Sequence, residues 1–318
     1  MSERERIERE VIRWLPENLR RLVADLGPDL EDLEEIRLRR GRPLAFTLPG
    51  RNLLVDWLVT ADDIERTLQI ITRGSLYAVG DELCNAFLTL PGGHRVGLAG
   101  RTVLQNGEIR ALKEINGVNV RISREVPGAA DHLLPHLIRP SGGAHSTLVL
   151  SPPGCGKTTL LRDLARQLAN GRPGLTPGLR VGIVDERSEL AACCNGVPQR
   201  DVGLRTDVMD GCPKARGIVL MIRSLSPEVI ITDEVGRLED VEALLEAANA
   251  GVAVIASAHA YGVSDARQRP SLGRMLQAGL FQRLVALKRQ PHPGTVAEIT
   301  DGQGNPLRRP VREVTARP

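Results

Sequence analysis

Residues 151–159 read Ser-Pro-Pro-Gly-Cys-Gly-Lys-Thr-Thr, and this stretch decides the fold of the chain. An apolar run at 147–150 precedes it, and a helical pattern begins at Leu160. A strand, a glycine-rich loop and a helix in this order are typical of a phosphate-binding loop, because glycines let several backbone N–H groups turn toward anionic oxygens. Ser151 replaces the first glycine of the usual G-x-x-x-x-G-K-[ST] pattern. A chance glycine turn is the alternative interpretation.

The loop predicts ATP and Mg²⁺ as cofactors. Lys157 is expected to reach the β- and γ-phosphates, and the Thr158 hydroxyl is expected to bind Mg²⁺. The positive end of the helix that starts near Lys157 favours the same anion. The residues predicted to form the nucleotide site are Ser151, Pro152, Pro153, Gly154, Cys155, Gly156, Lys157, Thr158 and Thr159.

Composition indicates a cytoplasmic globular protein of two domains. The chain has 318 residues, of which 42% are hydrophobic and 25% charged. The net charge of +3 is too small to indicate nucleic-acid binding by itself. The five cysteines form no C-x-x-C pair, which favours reduced thiols over a zinc site or disulfides. No apolar run approaches the roughly 20 residues of a membrane span.

Strand and helix patterns divide the chain into an N-terminal α+β domain at 1–126, a linker at 127–143 and an α/β domain at 144–318. The first domain should begin with two helices broken near Pro16 and contain a helix capped by Thr60, another near 77–85, and short strands with a hairpin turn at Asn106-Gly107. In the last domain, strands are expected at 146–150, 180–185, 228–233, 252–257, 283–288 and 296–300, and helices at 157–170, 215–225, 238–249 and 271–278. This alternation predicts a parallel sheet.

Two carboxylates follow the apolar strand pattern at 229–232. Asp233 is expected to hold Mg²⁺, directly or through water. Glu234 is expected to polarise the attacking water as a general base. An apolar run followed by Asp-Glu is common by chance, so the prediction depends on the glycine loop upstream.

Two more strand ends carry polar residues that should face the same crevice. Glu186 follows the strand pattern at 181–185 and is a candidate for positioning water or Mg²⁺; an exposed acidic loop is the alternative. His259 ends the run at 254–258 and is a candidate to sense the γ-phosphate; a structural histidine is the alternative.

Arginines of the first domain are candidates to stabilise transferring phosphoryl charge, within the chain or in a neighbouring subunit. They are Arg95, Arg101 and Arg121. Ordinary surface arginines are the alternative. Arg308, Arg309, Arg312 and Arg317 form a basic tail, solvated or in contact with acidic lipid or a partner.

Taken together, several stretches resemble the stage III sporulation protein AA family, which is similar to type II and type IV secretion ATPases. The stretches are 35–39, 93–101, 119–122, 151–159, 185–189, 233–236 and 257–260. The resemblance implies a RecA-like ATPase, hexameric, whose N-terminal domain swings over the nucleotide. It further implies a place in the mother cell at the forespore membrane, energising a channel built by other stage III sporulation proteins.

Site roles implied by the resemblance agree with those proposed above. In the secretion relatives the segment matching 185–189 is an acidic box, the one around His259 is a histidine box, and N-terminal arginines reach the phosphates. The relatives often carry Gly-Glu where this chain has Asp233-Glu234, so the division of roles between these two carboxylates stays open.

Two other functions are compatible with a RecA-like core. One is a nucleic-acid-stimulated ATPase, which the two Trp, two Tyr and three Phe residues disfavour, because single-strand binding usually needs stacked aromatic side chains. The other is a structural ring subunit that binds nucleotide and hydrolyses it negligibly.

Overall fold

The computed structural model describes residues 2–74 and 86–307 of the chain, which forms two compact units. Residues up to 124 and residues 192–199 form the first unit, and residues 125–191 and those from 200 onward form the second. The chain therefore passes between the units three times. The helix expected at 77–85, Cys84 and the basic tail from Arg308 lie outside the described residues.

The first unit contains a six-stranded antiparallel sheet and three α-helices among its described residues. The sheet order is β3-β2-β1-β6-β5-β4. Its helices are α1 (Glu3–Glu10), α2 (Glu17–Ala24) and α3 (Ala61–Ile71), with 3-10 turns at Ile12–Trp14 and Gly27–Asp32. Its strands are β1 (Glu35–Arg39), β2 (Pro43–Leu48), β3 (Arg51–Leu58), β4 (Phe87–Leu90), β5 (His94–Gln105) and β6 (Glu108–Arg121).

The sheet of the first unit buries one face, as the alternation in β1 predicts. Ile36 and Leu38 are fully buried, whereas Arg39 is exposed. Such alternation places every second side chain on the core face. The Thr60 cap is confirmed: its hydroxyl accepts a hydrogen bond from the Asp63 backbone N–H, and the Asp63 carboxylate accepts one from the Thr60 N–H.

The second unit is built around a seven-stranded sheet in the order β13-β12-β7-β11-β10-β8-β9. All neighbours are parallel except β12 and β13, which form an antiparallel edge pair. The strands are β7 (Thr147–Ser151), β8 (Val181–Asp185), β9 (Thr206–Asp210), β10 (Val229–Thr232), β11 (Ala253–His259), β12 (Arg283–Lys288) and β13 (Thr295–Asp301). The predicted parallel sheet is confirmed, and β9 is an additional strand.

The four helices predicted in this unit are confirmed, and two short ones are added. The helices are α4 (Leu134–Leu137), α5 (Lys157–Asn170), α6 (Lys214–Leu225), α7 (Leu238–Asn249), α8 (Val263–Gln268) and α9 (Pro270–Gln277). The strands β7, β8, β10 and β11 are buried along their length, so the polar residues at their carboxyl ends meet at one edge of the sheet. Within the described ranges, no helix is long and apolar enough to cross a bilayer.

The segment 127–143, expected as a linker, belongs to the second unit. Its residues Ala130, Leu133 and Leu134 are fully buried. The buried Asp163 carboxylate of α5 accepts backbone hydrogen bonds from Gly128 at 3.2 Å and Ala130 at 2.8 Å. Helix α5 is therefore tied to the segment that leads into the unit.

Asp163→Ala is expected to lower the free energy of unfolding by about 2–4 kcal/mol, because it leaves partly buried N–H donors and the Arg166 guanidinium without their acceptor. Urea titration monitored by circular dichroism measures the loss. Asp163→Asn, which keeps one acceptor oxygen, should lose less. A loss below about 0.5 kcal/mol for the alanine variant would show that 127–143 behaves as a free linker.

Candidate functional site

The glycine loop connects β7 to α5 with two glycines in left-handed conformations. Gly154 has φ of 72° and Gly156 has φ of 81°, a region that side-chain-bearing residues rarely adopt. A Cβ at Gly156 would lie 2.9 Å from the Gly294 nitrogen, whose N–H donates to the Cys155 carbonyl at 2.8 Å. The turn between β12 and β13 therefore packs directly on the loop. No side chain caps α5, so its first turn is open to an anion.

The side chain of Lys157 lies within the loop rather than in solvent, with 7% of the residue exposed. Its ammonium group donates to the Ser151 carbonyl and hydroxyl at 3.1 Å and to the Pro152 carbonyl at 3.2 Å. The Nδ1 atom of His259 lies 3.1 Å from Nζ. Burial lowers the pKa of Lys157, and the negative charges of Glu234 and Asp233 oppose that shift.

A chain of polar contacts runs from Lys157 through His259 to Glu234 and Arg187. His259 Nε2 lies 3.1 Å from Glu234 Oε1, and the Arg187 guanidinium lies 2.6 Å from Glu234 Oε2. Because Nδ1 faces an ammonium group and Nε2 faces a carboxylate, the hydrogen bonds fit a neutral imidazole that carries its proton on Nε2. Lys157, Glu234 and His259, predicted from different parts of the sequence, thus form one network.

The backbone of Glu234 is held in an unusual conformation next to β11. Its φ of 44° is left-handed, which is uncommon for a residue other than glycine. The Glu234 N–H donates to the Ser257 hydroxyl at 3.0 Å, and the Val235 N–H donates to the Ser257 carbonyl at 2.8 Å. A strained backbone conformation that is held by several hydrogen bonds is typical of functional sites. Ser257, for which no role was predicted from the sequence, therefore holds the backbone of Glu234.

The Asp233 carboxylate is buried, and neither of its oxygens has a hydrogen-bond partner. Burial raises the pKa of Asp233 to about 7, and the nearby charge of Asp185 adds to the shift, while Lys214 opposes it. A buried carboxylate without donors is what a divalent cation would complete, and Thr158 lies in the first turn of α5 with a partly accessible side chain. The residues present therefore fit Mg²⁺.

The acidic stretch after β8 divides into residues with different surroundings. Asp185 is fully buried and accepts the backbone N–H groups of 189, 190 and 191 at 2.8–2.9 Å, so its carboxylate shapes the loop. Burial nevertheless raises the pKa of Asp185. The Glu186 carboxylate accepts a hydrogen bond from the ammonium group of the buried Lys214, and the Arg237 guanidinium lies 3.9 Å from Glu186 Oε1. The expected role of Glu186 toward water or Mg²⁺ thus stays a prediction.

Three residues that contact the predicted site residues were not predicted from the sequence. Arg187 lies inside the acidic stretch, Lys214 is the first residue of α6, and Ser257 lies two positions before His259. An i, i+2 pair at the end of a strand shares one face, which was the available signal for Ser257. Lys214 and Arg187 gave no local signal, because their carboxylate partners come from other elements.

The arginines predicted to act on phosphate lie in the first unit, where Arg101 and Arg121 are exposed and Arg95 is half-buried. Arg101 on β5 pairs with Glu114 at 3.3 Å, and Arg121 on β6 pairs with Glu35 at 3.3 Å. The Arg95 guanidinium lies 3.8 Å from the centre of the Phe87 ring. Exposed ion pairs such as those of Arg101 and Arg121 contribute little to stability, and the expected role of the three arginines toward phosphate stays a prediction.

Across residues 2–74 and 86–307, no group of three or more His, Cys, Asp or Glu side chains is arranged to hold a metal ion. A cation at Asp233 would therefore take other ligands from the Thr158 hydroxyl, from phosphate oxygens and from water.

Comparison with protein families gives one match over almost the whole chain. The family described as sporulation stage III, protein AA, matches residues 4–307. The stage III sporulation protein AA of Bacillus subtilis (strain 168) is 45% identical over 302 residues, which cover 94% of this chain and 97% of that protein.

Comparison with solved structures identifies the fold. The Legionella pneumophila ATPase DotB matches with a TM-score of 0.56 at 18% identity, over 85% of this chain and 75% of that one. The pilus retraction motor PilT, solved with bound ADP, matches with a TM-score of 0.53 at 16% identity, over 87% and 77%. The chain therefore has the same α/β fold as DotB and PilT, and the fold class predicted from the sequence is confirmed.

Proposed function

Because the chain belongs to the sporulation stage III protein AA family, we propose that it is an ATP-hydrolysing motor of the secretion-ATPase type. The observation that carries the proposal is the meeting of Lys157, Asp233 and Glu234 at one edge of the sheet, beside an open helix N-terminus. The fold of DotB and PilT, and the ADP bound in PilT, support it.

Hydrolysis requires a water oxygen to bond to the γ-phosphorus while the bond from that phosphorus to the ADP oxygen breaks. Glu234 takes the proton of the attacking water, and the leaving ADP oxygen carries the negative charge. Lys157 exchanges the loop carbonyls for the β- and γ-phosphate oxygens. Thr158 and Asp233 would hold Mg²⁺, which would neutralise phosphate charge. The buried position of Lys157 strengthens its interaction with the phosphates, because water is excluded there.

His259 connects nucleotide binding to the base. When the Lys157 ammonium moves to the phosphates, Nδ1 of His259 loses its donor, while Nε2 keeps its hydrogen bond to Glu234. The state of the γ-phosphate is thereby communicated to the end of β11. Glu186, held by Lys214, is proposed to position water or the hydrated cation at the neighbouring strand end.

We also propose an oligomeric state and a cellular location for the protein. A homo-oligomer, hexameric as the family resemblance implies, would let Arg101 and Arg121 contact phosphates within the chain or in a neighbouring subunit. Energising a membrane channel, together with other stage III sporulation proteins on the mother-cell side of the forespore membrane, is the proposed work. The chain would act there as a peripheral protein.

Glu234→Gln is expected to lower ATP turnover roughly 100- to 1,000-fold while ATP still binds, because glutamine cannot accept the proton of the attacking water. Phosphate release and binding of a fluorescent ATP analogue are measured on the full-length protein. Glu239→Gln, an exposed carboxylate in the first turn of α7, is the matched control. Negligible turnover in both the parent and Glu234→Gln, with ATP still bound, would favour the structural ring subunit, whereas measurable turnover that Glu234→Gln leaves unchanged would remove Glu234 as the base.

Adding single-stranded DNA to the same assay distinguishes a nucleic-acid-stimulated ATPase from a motor of the secretion-ATPase type. We expect no stimulation, because Phe46 and Phe281 are buried and Trp57 donates to Asp63 at the edge of the core. Among the aromatic residues that the structure describes, Tyr261 is strongly exposed at 83%. One exposed ring does not form a stacking platform for successive bases.

A further inference from the structure

We propose that Arg187 is a γ-phosphate-binding residue of the ATP site and that, without nucleotide, Glu234 holds it in reserve. This inference rests on the proposed ATPase function and adds a catalytic cation supplied by the chain itself. The juxtaposition that carries it is the 2.6 Å contact between the Arg187 guanidinium and Glu234 Oε2, at the far end of the network that begins at Lys157.

Both oxygens of Glu234 are engaged by other side chains. His259 binds Oε1 and Arg187 binds Oε2. A carboxylate that neutralises a guanidinium and accepts from an imidazole is poorly placed to take a proton from water. One of the two partners must leave before Glu234 acts as a base.

Arg187 is the partner that is free to leave. His259 belongs to β11, where its backbone is paired with Ser151 of β7. Arg187 lies in the loop after β8, its side chain is 56% exposed, and its neighbour Ser188 has a left-handed φ of 53°. A long, half-exposed side chain on a loop can change partner without disturbing the sheet.

The γ-phosphate is the stronger partner for this guanidinium. A planar guanidinium matches phosphate oxygens with two parallel hydrogen bonds, and the phosphate carries more charge than one carboxylate. Lys157 shows the same arrangement: its ammonium lies on loop carbonyls and His259, where phosphate oxygens would replace them. Two cations are thus held at the two ends of one network, and the arrival of ATP would release Glu234 as it recruits both.

The test compares binding of ADP and of a non-hydrolysable ATP analogue, each with Mg²⁺, by calorimetry on the full-length protein. Arg187→Gln should weaken the analogue roughly 10- to 100-fold, since a charge-assisted bond to the γ-phosphate is lost, and leave ADP within about twofold. Arg187→Lys should fall between parent and glutamine variant. Arg223→Gln, which removes an exposed arginine paired with Glu246 on α7, is the control and should match the parent.

A double-mutant cycle with Glu234→Gln makes the test specific for the exchange of partners. Glu234→Gln alone should tighten analogue binding, because it releases Arg187, and it should have no such effect when Arg187 is already glutamine. Turnover of Arg187→Gln should fall about 100-fold or more. An unchanged ratio of analogue to ADP affinity in Arg187→Gln would overturn the proposal.

The parent protein reports separately on the proposed function. In one outcome the parent binds the ATP analogue more tightly than ADP, loses that preference in Arg187→Gln, and yet releases no phosphate. That result would support Arg187 as a phosphate ligand and contradict the proposed ATPase activity. If the parent hydrolyses ATP and Arg187→Gln keeps the parental ratio of analogue to ADP affinity, the role of Arg187 is contradicted and the ATPase proposal stands. A parent that binds neither nucleotide overturns both.

Discussion

Lys157→Ala is expected to lower ATP turnover at least about a thousandfold. Lys157 is the buried cation of the glycine loop, and its ammonium already lies among four polar atoms that phosphate oxygens would replace. Alanine removes the charge that stabilises the transferring phosphoryl group and the donor to His259 together. Nucleotide affinity should fall as well, because the same group binds phosphate before the reaction.

Phosphate release at saturating ATP, together with binding of a fluorescent ATP analogue, measures both effects. Lys288→Ala, at the exposed end of β12, is the matched control and should keep parental turnover. Lys157→Met retains most of the side-chain volume, so it separates loss of charge from loss of packing, and melting temperatures check that both variants fold. Parental turnover in either Lys157 variant would remove the ATPase proposal.

Asp233→Asn is expected to stabilise the Mg²⁺-free protein at pH 8 and to abolish Mg²⁺-dependent hydrolysis. Burial raises the pKa of Asp233 from 3.8 to about 7 in the folded chain. Between these values the folded state binds more protons than the unfolded state, so the contribution of Asp233 to stability falls as the pH rises from about 4 to about 7. At pH 8 the buried charge costs up to about 4 kcal/mol, which asparagine does not incur.

Melting temperatures at pH 5 and pH 8 in the presence of EDTA measure this difference. The gain of Asp233→Asn over the parent should be several degrees larger at pH 8 than at pH 5. Asp207→Asn, an exposed carboxylate on β9, is the control and should show no such pH dependence. Adding Mg²⁺ with ADP should stabilise the parent at pH 8 more than the variant. A gain independent of pH would contradict the burial of an ionisable Asp233.

Local pattern was sufficient for the core of the second unit. The strand before Ser151 and the helix from Lys157 are marked by an apolar run, two glycines and a helical period, which are signals contained in a few adjacent residues. Strands β8, β10 and β11 are continuous apolar runs, as buried parallel strands are. Parallel connection then brings their polar ends together, which is why Lys157, Glu234 and His259 were predicted to meet.

Features that depend on distant partners were not predictable in this way. Strand β9 carries aspartates at 207 and 210, and among the described strands it pairs along one edge, with β8, so it lacks an apolar run. Arg187 forms an ion pair with Glu234, and Lys214 forms one with Glu186, and in each pair the two residues lie on separate elements. Residues 192–199 belong to the first unit through contacts such as the Gln199 side chain with the Gly92 N–H at 2.9 Å. Such pairings are set by tertiary structure, and no short window of sequence contains them.

The three passages of the chain between the units have a consequence for dividing the protein experimentally. A fragment that stops at residue 124 lacks residues 192–199 of its own unit, so Gly92 loses the acceptor supplied by Gln199. A fragment that starts at 125 still contains residues 192–199, including the buried Cys193, but lacks the rest of the unit to which they belong. A fragment for separate study of the first unit should therefore include residues 192–199, and one for the second unit should join Ala191 to Arg200 with a short linker.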